Sequence, residues 1–380
     1  MNSKHFNILA IAAVVSLVTA GLVHSAYDTW TVETVGGEKL FPSFDRDAKQ
    51  VSKVSLRKGK QAFTFAKKDD GNWVLSERGD YPVKSEQVRK LLVEIAQAEL
   101  AEAKTRDPKR YDLLELGDPE KDGATSTRVT LSDKAGKKVG ELVVGKRRVS
   151  AFGRGKTGSY VRRPGEEQTW LTNGEIRTTM DVSDWVEPVF FKMKLDRFKT
   201  LTLEPTGGDP VKVVIDDKKK DNFKFESIPD GKTTKKGIDA TVMIKALETL
   251  EMTDVRKTPT AKPPKDAQTI PAVLETKDGM KLKFAVLKVG ENDRWLSVDV
   301  LEDGKKADEA KKLRKALSGW QFKIADWRSR QVFKTAIEMF ANKVVKPPAP
   351  AGHSSPTGAS PALANPAPGN PAKAEPKTQN

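Results

Sequence analysis

The side chains that most often carry nucleophilic catalysis or bind transition metals are nearly missing from the part of this sequence that looks able to fold. The 380 residues contain no cysteine, and the three histidines, His5, His24 and His353, lie outside residues 28–345. Disulfides and thiolate sites are therefore excluded, and Ser-His catalysis and histidine-ligated metals nearly so. Carboxylates, lysine, tyrosine and serine remain as the available chemistry.

Three acidic groupings could suggest metal binding or acid–base work. They are Asp69-Asp70, Asp216-Asp217, and Asp107 with Asp112. The first precedes Gly71 in a predicted hairpin turn, where aspartate is favoured for backbone reasons alone. We therefore predict no catalytic residue, no metal site, no cofactor and no enzymatic activity.

A glycine-interrupted basic segment beside Tyr160 is the candidate contact for an anionic partner. Its cations are Lys146, Arg147, Arg148, Arg154 and Lys156. The segment lacks the spacing of a phosphate-binding loop, and a solvated loop is the alternative interpretation. The chain as a whole carries a formal net charge of +15, a balance that favours anionic partners, although a lysine-rich solvated surface has the same composition.

Alternating apolar and polar residues predict that short antiparallel strands carry these side chains. In the first half, the predicted strands are residues 50–56, 61–66, 72–75, 128–131, 140–144, 159–162 and 168–171. Asp70-Gly71 and residues 132–136 are hairpin turn signals. Ser85 is predicted to cap an amphipathic helix on which the strands pack. The apolar face of that helix comprises Val88, Leu91, Leu92, Ile95 and Ala98.

The second half repeats this order. Its predicted strands are residues 198–203, 222–225, 272–275, 281–286 and 294–297. Asp239 is predicted to cap the matching helix, which carries Met243, Ala246, Leu247 and Leu250. Residues 257–271, rich in proline and lysine, are predicted to form a loop.

Each half closes with the same segment. Asp184, Trp185, Phe191 and Lys192 recur as Asp326, Trp327, Phe333 and Lys334. We interpret each copy as an aspartate N-cap followed by a helix with the tryptophan on its first turn as a core anchor; exposed binding aromatics are the alternative. Pro188 should keep the helix of the first copy short. The apolar face of the second copy's helix is predicted to comprise Phe333, Ala336, Ile337, Phe340 and Val344. The chain is thus predicted to be a tandem repeat.

The two ends of the chain differ from its body. Residues 6–23 form an uncharged, mostly apolar run behind Lys4, which predicts a retained membrane anchor; a signal segment cleaved after Ala20 or Ser25 is the alternative. The positive charge before the run places the bulk of the protein outside the membrane, so no nucleic-acid partner is expected. The Pro/Ala-rich residues 346–380 cannot bury a core, and we predict that they are disordered.

Several of these features together resemble the bacterial family catalogued as domain of unknown function 4340. They are the strand at residues 51–56, the Gly-Asn-Trp-Val-Leu run at 71–75, Tyr81-Pro82, the Tyr-to-Pro segment at 111–119, Gly145 and the Tyr-Val-Arg run at 160–162. The second half is similar to the family more loosely. The resemblance implies a membrane-anchored protein that faces the periplasm or cell exterior beside an ABC-type transport system related to gliding motility. No catalytic residues are established for the family, so it implies none here.

The predicted fold is α+β: two tandem repeats, each with antiparallel strands and hairpins packed on one amphipathic helix and closed by an Asp-Trp helical segment. The predicted boundaries are 1–27 for the anchor or signal, 45–197 and 198–345 for the repeats, and 346–380 for the tail. We expect a non-enzymatic envelope scaffold in the cytoplasmic membrane, with its bulk periplasmic or extracytoplasmic. Its expected partners are the membrane, a transport complex and an anionic cell-wall polymer. The alternative function is an envelope hydrolase that cleaves a cell-wall glycan through paired carboxylates.

Overall fold

The structure is a computed structural model that describes residues 16, 19, 34–44, 48–204, 209–216, 222–264, 267–291 and 293–343. In this part of the chain the fold is mixed and rich in strands, with antiparallel sheets and few helices. The α+β class predicted from the sequence is therefore confirmed at this level.

The first sheet contains ten strands from the first half of the described chain. They are β1 (Thr34–Lys39), β2 (Lys53–Lys58), β3 (Gln61–Lys67), β4 (Trp73–Leu75), β5 (Tyr81–Pro82), β6 (Glu99–Ala103), β7 (Thr127–Ser132), β8 (Lys138–Arg148), β9 (Gly158–Arg162) and β10 (Thr169–Asn173). Their order across the sheet is β1-β6-β10-β9-β8-β7-β2-β3-β4-β5, with antiparallel neighbours. Strands such as β7 bury every second residue, because alternate side chains point to opposite faces of a sheet.

The second sheet contains eight of the strands from the second half. They are β12 (Phe198–Leu203), β13 (Val211–Ile215), β14 (Phe223–Phe225), β17 (Asp254–Lys257), β18 (Gln268–Thr276), β19 (Met280–Val289), β20 (Asp293–Asp303) and β21 (Trp320–Lys323). Their order is β14-β13-β12-β18-β19-β20-β21-β17. Two further pairs stand apart: β11 (Val189–Lys192) with β16 (Thr249–Glu251), and β15 (Lys232–Thr234) with β22 (Phe340–Asn342). Because β18 begins at Gln268, the predicted loop at 257–271 ends earlier than expected.

The helices beyond residue 48 are short apart from two. They are α1 (Ser85–Gln97), α2 (Val182–Trp185), α3 (Ala240–Lys245), α4 (Ala307–Leu317), α5 (Asp326–Val332) and α6 (Ala336–Met339). Asp239 caps α3 as predicted, since its Oδ1 accepts hydrogen bonds from the backbone N–H groups of Thr241 and Val242. The predicted Ser85 cap is wrong: Lys84 is the N-cap of α1, and Ser85 Oγ accepts a hydrogen bond from the backbone N–H of Trp73 at 3.3 Å instead.

The two Asp-Trp segments differ more than their sequences suggest. Trp185 is 3% exposed, packs on Phe65 with ring centroids 4.5 Å apart, and donates its indole N–H to the carbonyl of Thr179 at 3.0 Å. Trp327 is 57% exposed, with the Arg328 guanidinium 4.5 Å from its ring centroid. The prediction of a core anchor is therefore correct for Trp185 and wrong for Trp327.

The geometry of α5 explains the exposure of Trp327. The helix turns Ser329 and Val332 inward, and Trp327 precedes Ser329 by two positions, which is about 200° around an α-helix. The predicted N-caps, Asp184 and Asp326, are also wrong, because both residues lie within their helices. The N-cap of α2 is Asp181, and that of α5 is Ala325.

The single long helix predicted for the second copy is wrong too. The chain forms α5, α6 and β22 in its place, and Ile337 is 80% exposed. Val344, the last residue of the predicted face, lies outside the described residues.

Side chains join the edge of the first sheet to the edge of the second. The Arg78 guanidinium donates two hydrogen bonds to the Asp254 carboxylate, at 2.6 and 3.1 Å. Tyr81 packs edge-on against Trp320 with ring centroids 4.8 Å apart. Burial, together with the charge of Glu187, raises the pKa of Tyr81 to about 12. One apolar core includes residues from both sheets.

The chain divides into two compact units, residues 1–341 and 342–380. Asn342 and Lys343 are the described residues of the second unit, so the predicted disordered tail at 346–380 lies outside the described part. The predicted anchor at residues 6–23 also lies outside it, except for Ser16 and Thr19. Within the described residues, no helix has the length and apolar character needed to span a membrane.

Candidate functional site

The acidic groupings singled out from the sequence do not converge on one another. Asp69 and Asp70 are exposed in the β3–β4 turn. The pKa of Asp69 is lowered by a hydrogen bond from the Lys134 ammonium. The pKa of Asp70 is lowered by hydrogen bonds from the backbone and side-chain amides of Asn72. In the part of the chain that is described, no group of three or more His, Cys, Asp or Glu residues could hold a metal ion.

The other two groupings have local roles. Asp107 caps the 3-10 helix Pro108–Leu114 by accepting a hydrogen bond from the backbone N–H of Lys109 at 3.0 Å. Asp216 lies 3.8 Å from the Lys224 ammonium, while Asp217 lies outside the described residues. These contacts are those of turn and surface residues.

The five predicted basic residues come together on one hairpin. β8 ends at Arg148 and β9 begins at Gly158, so the connecting loop places Arg154 and Lys156 close in sequence to the end of β8. All five cations are exposed. Arg147 lies 3.4 Å from Glu175 and Arg148 lies 3.9 Å from Glu102. No carboxylate of the described residues lies within 4.0 Å of the remaining three, which are Lys146, Arg154 and Lys156.

Two of the family-like segments, residues 111–119 and 160–162, contribute to a second, smaller apolar cluster, whereas residues 51–56 and 71–75 pack in the main core. The buried members of the smaller cluster are Tyr111, Leu116, Val143, Tyr160 and Leu171. The Tyr111 hydroxyl donates to the carbonyl of Glu167 at 2.7 Å. A Cβ on Gly145 would lie 2.2 Å from the carbonyl oxygen of Leu114, and one on Gly117 would lie 2.2 Å from Asp112 Oδ1. The motif residues are therefore required by packing and close backbone approach.

A cleft of about 600 Å³ lies between α1 and the β8–β9 hairpin, and we call it the Arg177 cleft. One wall is α1, another is the base of the β8–β9 hairpin, and the third is the segment that runs from Glu175 to Trp185. Its charged lining residues are Lys84, Lys90, Glu94, Arg147, Glu175, Arg177 and Asp184. The cleft thus brings together one predicted basic residue, Arg147, and the first Asp-Trp segment.

Two carboxylates in the cleft share one guanidinium. Arg177 Nε lies 3.9 Å from Glu94 and 3.6 Å from Glu175, and the Glu94 carboxylate also accepts a hydrogen bond from the backbone N–H of Arg177 at 3.0 Å. Burial raises the pKa of Glu94, although these contacts with Arg177 oppose the rise. Asp184 accepts a hydrogen bond from the Thr179 hydroxyl at 2.7 Å. The arrangement is a network of compensating charges with solvent access.

Sequence reasoning missed Glu94, Glu175 and Arg177. Glu94 lies on α1 among other polar residues, while Glu175 and Arg177 lie in an irregular segment after β10. No spacing rule connects a helix to an irregular segment about 80 residues away, so only the fold reveals the site.

The fold and the cleft define a strand-rich protein with two large sheets and a charged groove. Residues 73–269, just over half of the chain, match the family described as Domain of unknown function (DUF4340). The chain belongs to this family. The match runs from β4 into β18 and so crosses the predicted boundary between the repeat domains. No curated protein and no solved structure matches the chain.

Proposed function

We propose that this protein is a non-enzymatic, membrane-anchored binding and scaffold protein of the cell envelope, working beside an ABC-type transport complex. The single observation that carries the binding role is the β8–β9 hairpin. It gathers five exposed cations, three of them more than 4.0 Å from every described carboxylate. Uncompensated positive charge at one exposed place attracts anionic polymers through long-range electrostatics.

Binding of the full chain to polygalacturonate, with neutral dextran as the reference polymer, tests this role. Replacing Lys146, Arg154 and Lys156 together by Gln should weaken binding several-fold, and binding to the unaltered chain should fall with added salt. The matched control replaces Lys311, Lys312 and Lys315, which are exposed on α4 in the second half, and changes the net charge by the same amount. Equal losses for the two triple variants would refute a specific role for the hairpin.

We also propose that the two halves are copies of one unit, because their strand orders agree. Read from β4 to β6, the first sheet has the order β4-β3-β2-β7-β8-β9-β10-β6. The second sheet has the order β14-β13-β12-β18-β19-β20-β21-β17. In both strand orders, the fourth, third and second strands of the half lie on one side of the sheet. The strands that come later in the chain lie on the other side. A helix follows the fifth strand of each half: α1 follows β5, and α3 follows β15.

The anchor and the transport partner rest on the sequence and on the resemblance to the family. Washing membranes with carbonate should leave the protein in the pellet, whereas release of a chain that begins near Tyr27 would show that residues 6–23 are a cleaved signal. Cross-linking in intact cells should capture a transporter permease or ATPase encoded beside this gene. Capture of neither would remove the transport role.

A glycan hydrolase is the second candidate, and one specific observation favours it. Glu94 and Glu175 both lie within 4 Å of Arg177 Nε in an open cleft, and a half-buried carboxyl with a raised pKa, such as Glu94, suits a general acid. We place it second because the contacts with Arg177 favour the charged form of Glu94 and so oppose the raised pKa that a general acid needs. The hydrolase candidate predicts that the purified chain releases reducing sugar from cell-wall glycan and that Glu94→Gln abolishes this release. No release by the unaltered chain would remove this candidate.

A further inference from the structure

We propose that the Arg177 cleft binds a single sugar acid, with the ligand's carboxylate or phosphate held between the guanidinium groups of Arg147 and Arg177. This inference rests on the proposed function, because it makes the cleft the place where one unit of an anionic envelope polymer is recognised. The exposed hairpin attracts such a polymer, and the cleft lies at the base of the same hairpin.

The two guanidinium groups converge on one point. Arg147 Nη1 lies 3.4 Å and Arg177 Nε 3.6 Å from the same oxygen, Glu175 Oε1. Strong charge-assisted hydrogen bonds are about 2.7–2.9 Å long, so Glu175 holds both cations loosely. Both arginine side chains are also more than half exposed, at 65% and 59%. Each guanidinium has five N–H donors, so most of them stay free to bind an incoming oxyanion.

The rest of the lining selects the kind of anion. Lys84 and Lys90 also face the cleft, and no carboxylate of the described residues lies within 4.0 Å of either ammonium group. Together the four cations oppose three acids, the third being Asp184, so the cleft has a small positive excess. That excess suits the single acidic group that one unit of such a polymer presents to the cleft.

The uncharged lining residues suit a ligand that also carries hydroxyl groups. They include Gln87, Thr178, Thr179 and Ser183. Their amide and hydroxyl groups donate and accept hydrogen bonds, as sugar hydroxyls require. The volume of about 600 Å³ lies within the range of small-molecule sites, and it leaves room for a monosaccharide or disaccharide.

Glu175 acts in this scheme as an internal competitor. It occupies the position between the two arginines that the ligand's acidic group would take. Replacing Glu175 by Gln removes the competing charge while keeping a side chain of similar size, so ligand affinity should rise. A purely structural ion pair predicts the opposite, because loss of Glu175 would loosen the cleft wall.

Titration calorimetry of the full chain tests the proposal with three probes: glucuronate, glucose 1-phosphate and glucose. The unaltered chain should bind at least one of the two acids and should not bind glucose, and the comparison of the acids decides between carboxylate and phosphate. Arg177→Gln and Arg147→Gln should each weaken binding about tenfold or more, since each removes a charged hydrogen bond. Glu175→Gln should tighten it several-fold. Lys311→Gln, on α4 and outside the cleft lining, should leave it unchanged.

Thermal melts of each variant show whether it is folded, and the two arginine variants provide independent tests. The proposal is overturned if neither acid binds, if glucose binds equally well, or if Glu175→Gln weakens binding. Its failure is distinct from that of the proposed function. The hairpin triple variant reports on polymer binding, whereas Arg177→Gln reports on the sugar acid.

Discussion

Replacing Trp185 by Ala should destabilise the protein severely, whereas the same change at Trp327 should not. The Trp185 side chain is almost fully buried, contacts the Phe65 ring and satisfies the carbonyl of Thr179. A buried Trp→Ala change costs about 3–5 kcal/mol through lost burial and the cavity left behind. That is a large fraction of the roughly 5–15 kcal/mol by which domains are stable. Trp327→Ala, at a side chain more than half exposed, should cost about 1 kcal/mol or less.

Urea unfolding of the full chain, followed by far-ultraviolet circular dichroism, measures both changes. Circular dichroism is preferable to fluorescence because the chain has seven tryptophans. Trp185→Phe is the matched control: it keeps an aromatic ring beside Phe65 but removes the indole N–H donor, so it should cost clearly less than Trp185→Ala. Equal losses for Trp185→Ala and Trp327→Ala would refute the distinction between a buried and an exposed copy. A single transition for both would indicate that the sheets unfold together through their shared core.

Three further predictions concern packing and titration. Gly145→Ala should destabilise the fold by about 1–3 kcal/mol in chemical denaturation, because the new Cβ would meet a backbone carbonyl. Gly140→Ala is the control on the same strand, and it should be nearly neutral because the nearest atom to its Cβ is 3.6 Å away. Tyr81 stabilises the fold fully below its unfolded pKa of 10.0, and this contribution is lost as the pH rises through about 12, so Tyr81→Phe should resist alkaline unfolding in that window. Glu94 has a raised pKa, so its contribution to stability is complete below its ordinary value of 4.5 and is lost as the pH rises through the folded value. The melting temperature of Glu94→Gln relative to the unaltered chain should therefore increase as the pH is raised from 4.5.

The strands were the most predictable part of the fold, for a clear physical reason. In β2 and β7, apolar residues alternate with polar ones because one face is buried and the other is solvated. β6 was missed because only Leu100 on it is fully buried among polar and small residues. Helix α4 was missed because its buried residues are just Ala310 and Leu317, in a run rich in lysine. Few buried positions leave little periodic signal.

The repeated Asp-Trp segment shows where identity of sequence fails to imply identity of role. Trp185 ends a one-turn helix, and its ring reaches Phe65 on β3. Asp326 instead pairs with the buried Arg294 at 3.0 Å, at the start of a seven-residue helix that turns the next residue outward. The orientation depends on a partner on β20, which the local motif does not contain.

The candidate site was predictable only in part. The five basic residues could be recognised because they are close in sequence. The cleft could not, because its arginines and glutamates are contributed by a helix, a hairpin and an irregular segment that only tertiary packing brings together.

The way in which the two sheets are joined has a mechanical consequence. Within each sheet, neighbouring strands share ladders of hydrogen bonds that must break together under shear. Between the sheets, the described edge contacts are the Arg78–Asp254 ion pair and rings such as Tyr81 and Trp320, which can separate one after another. A force that separates the two sheets therefore acts on the Arg78–Asp254 ion pair and on the packing of the shared apolar core, rather than on the ladders within either sheet.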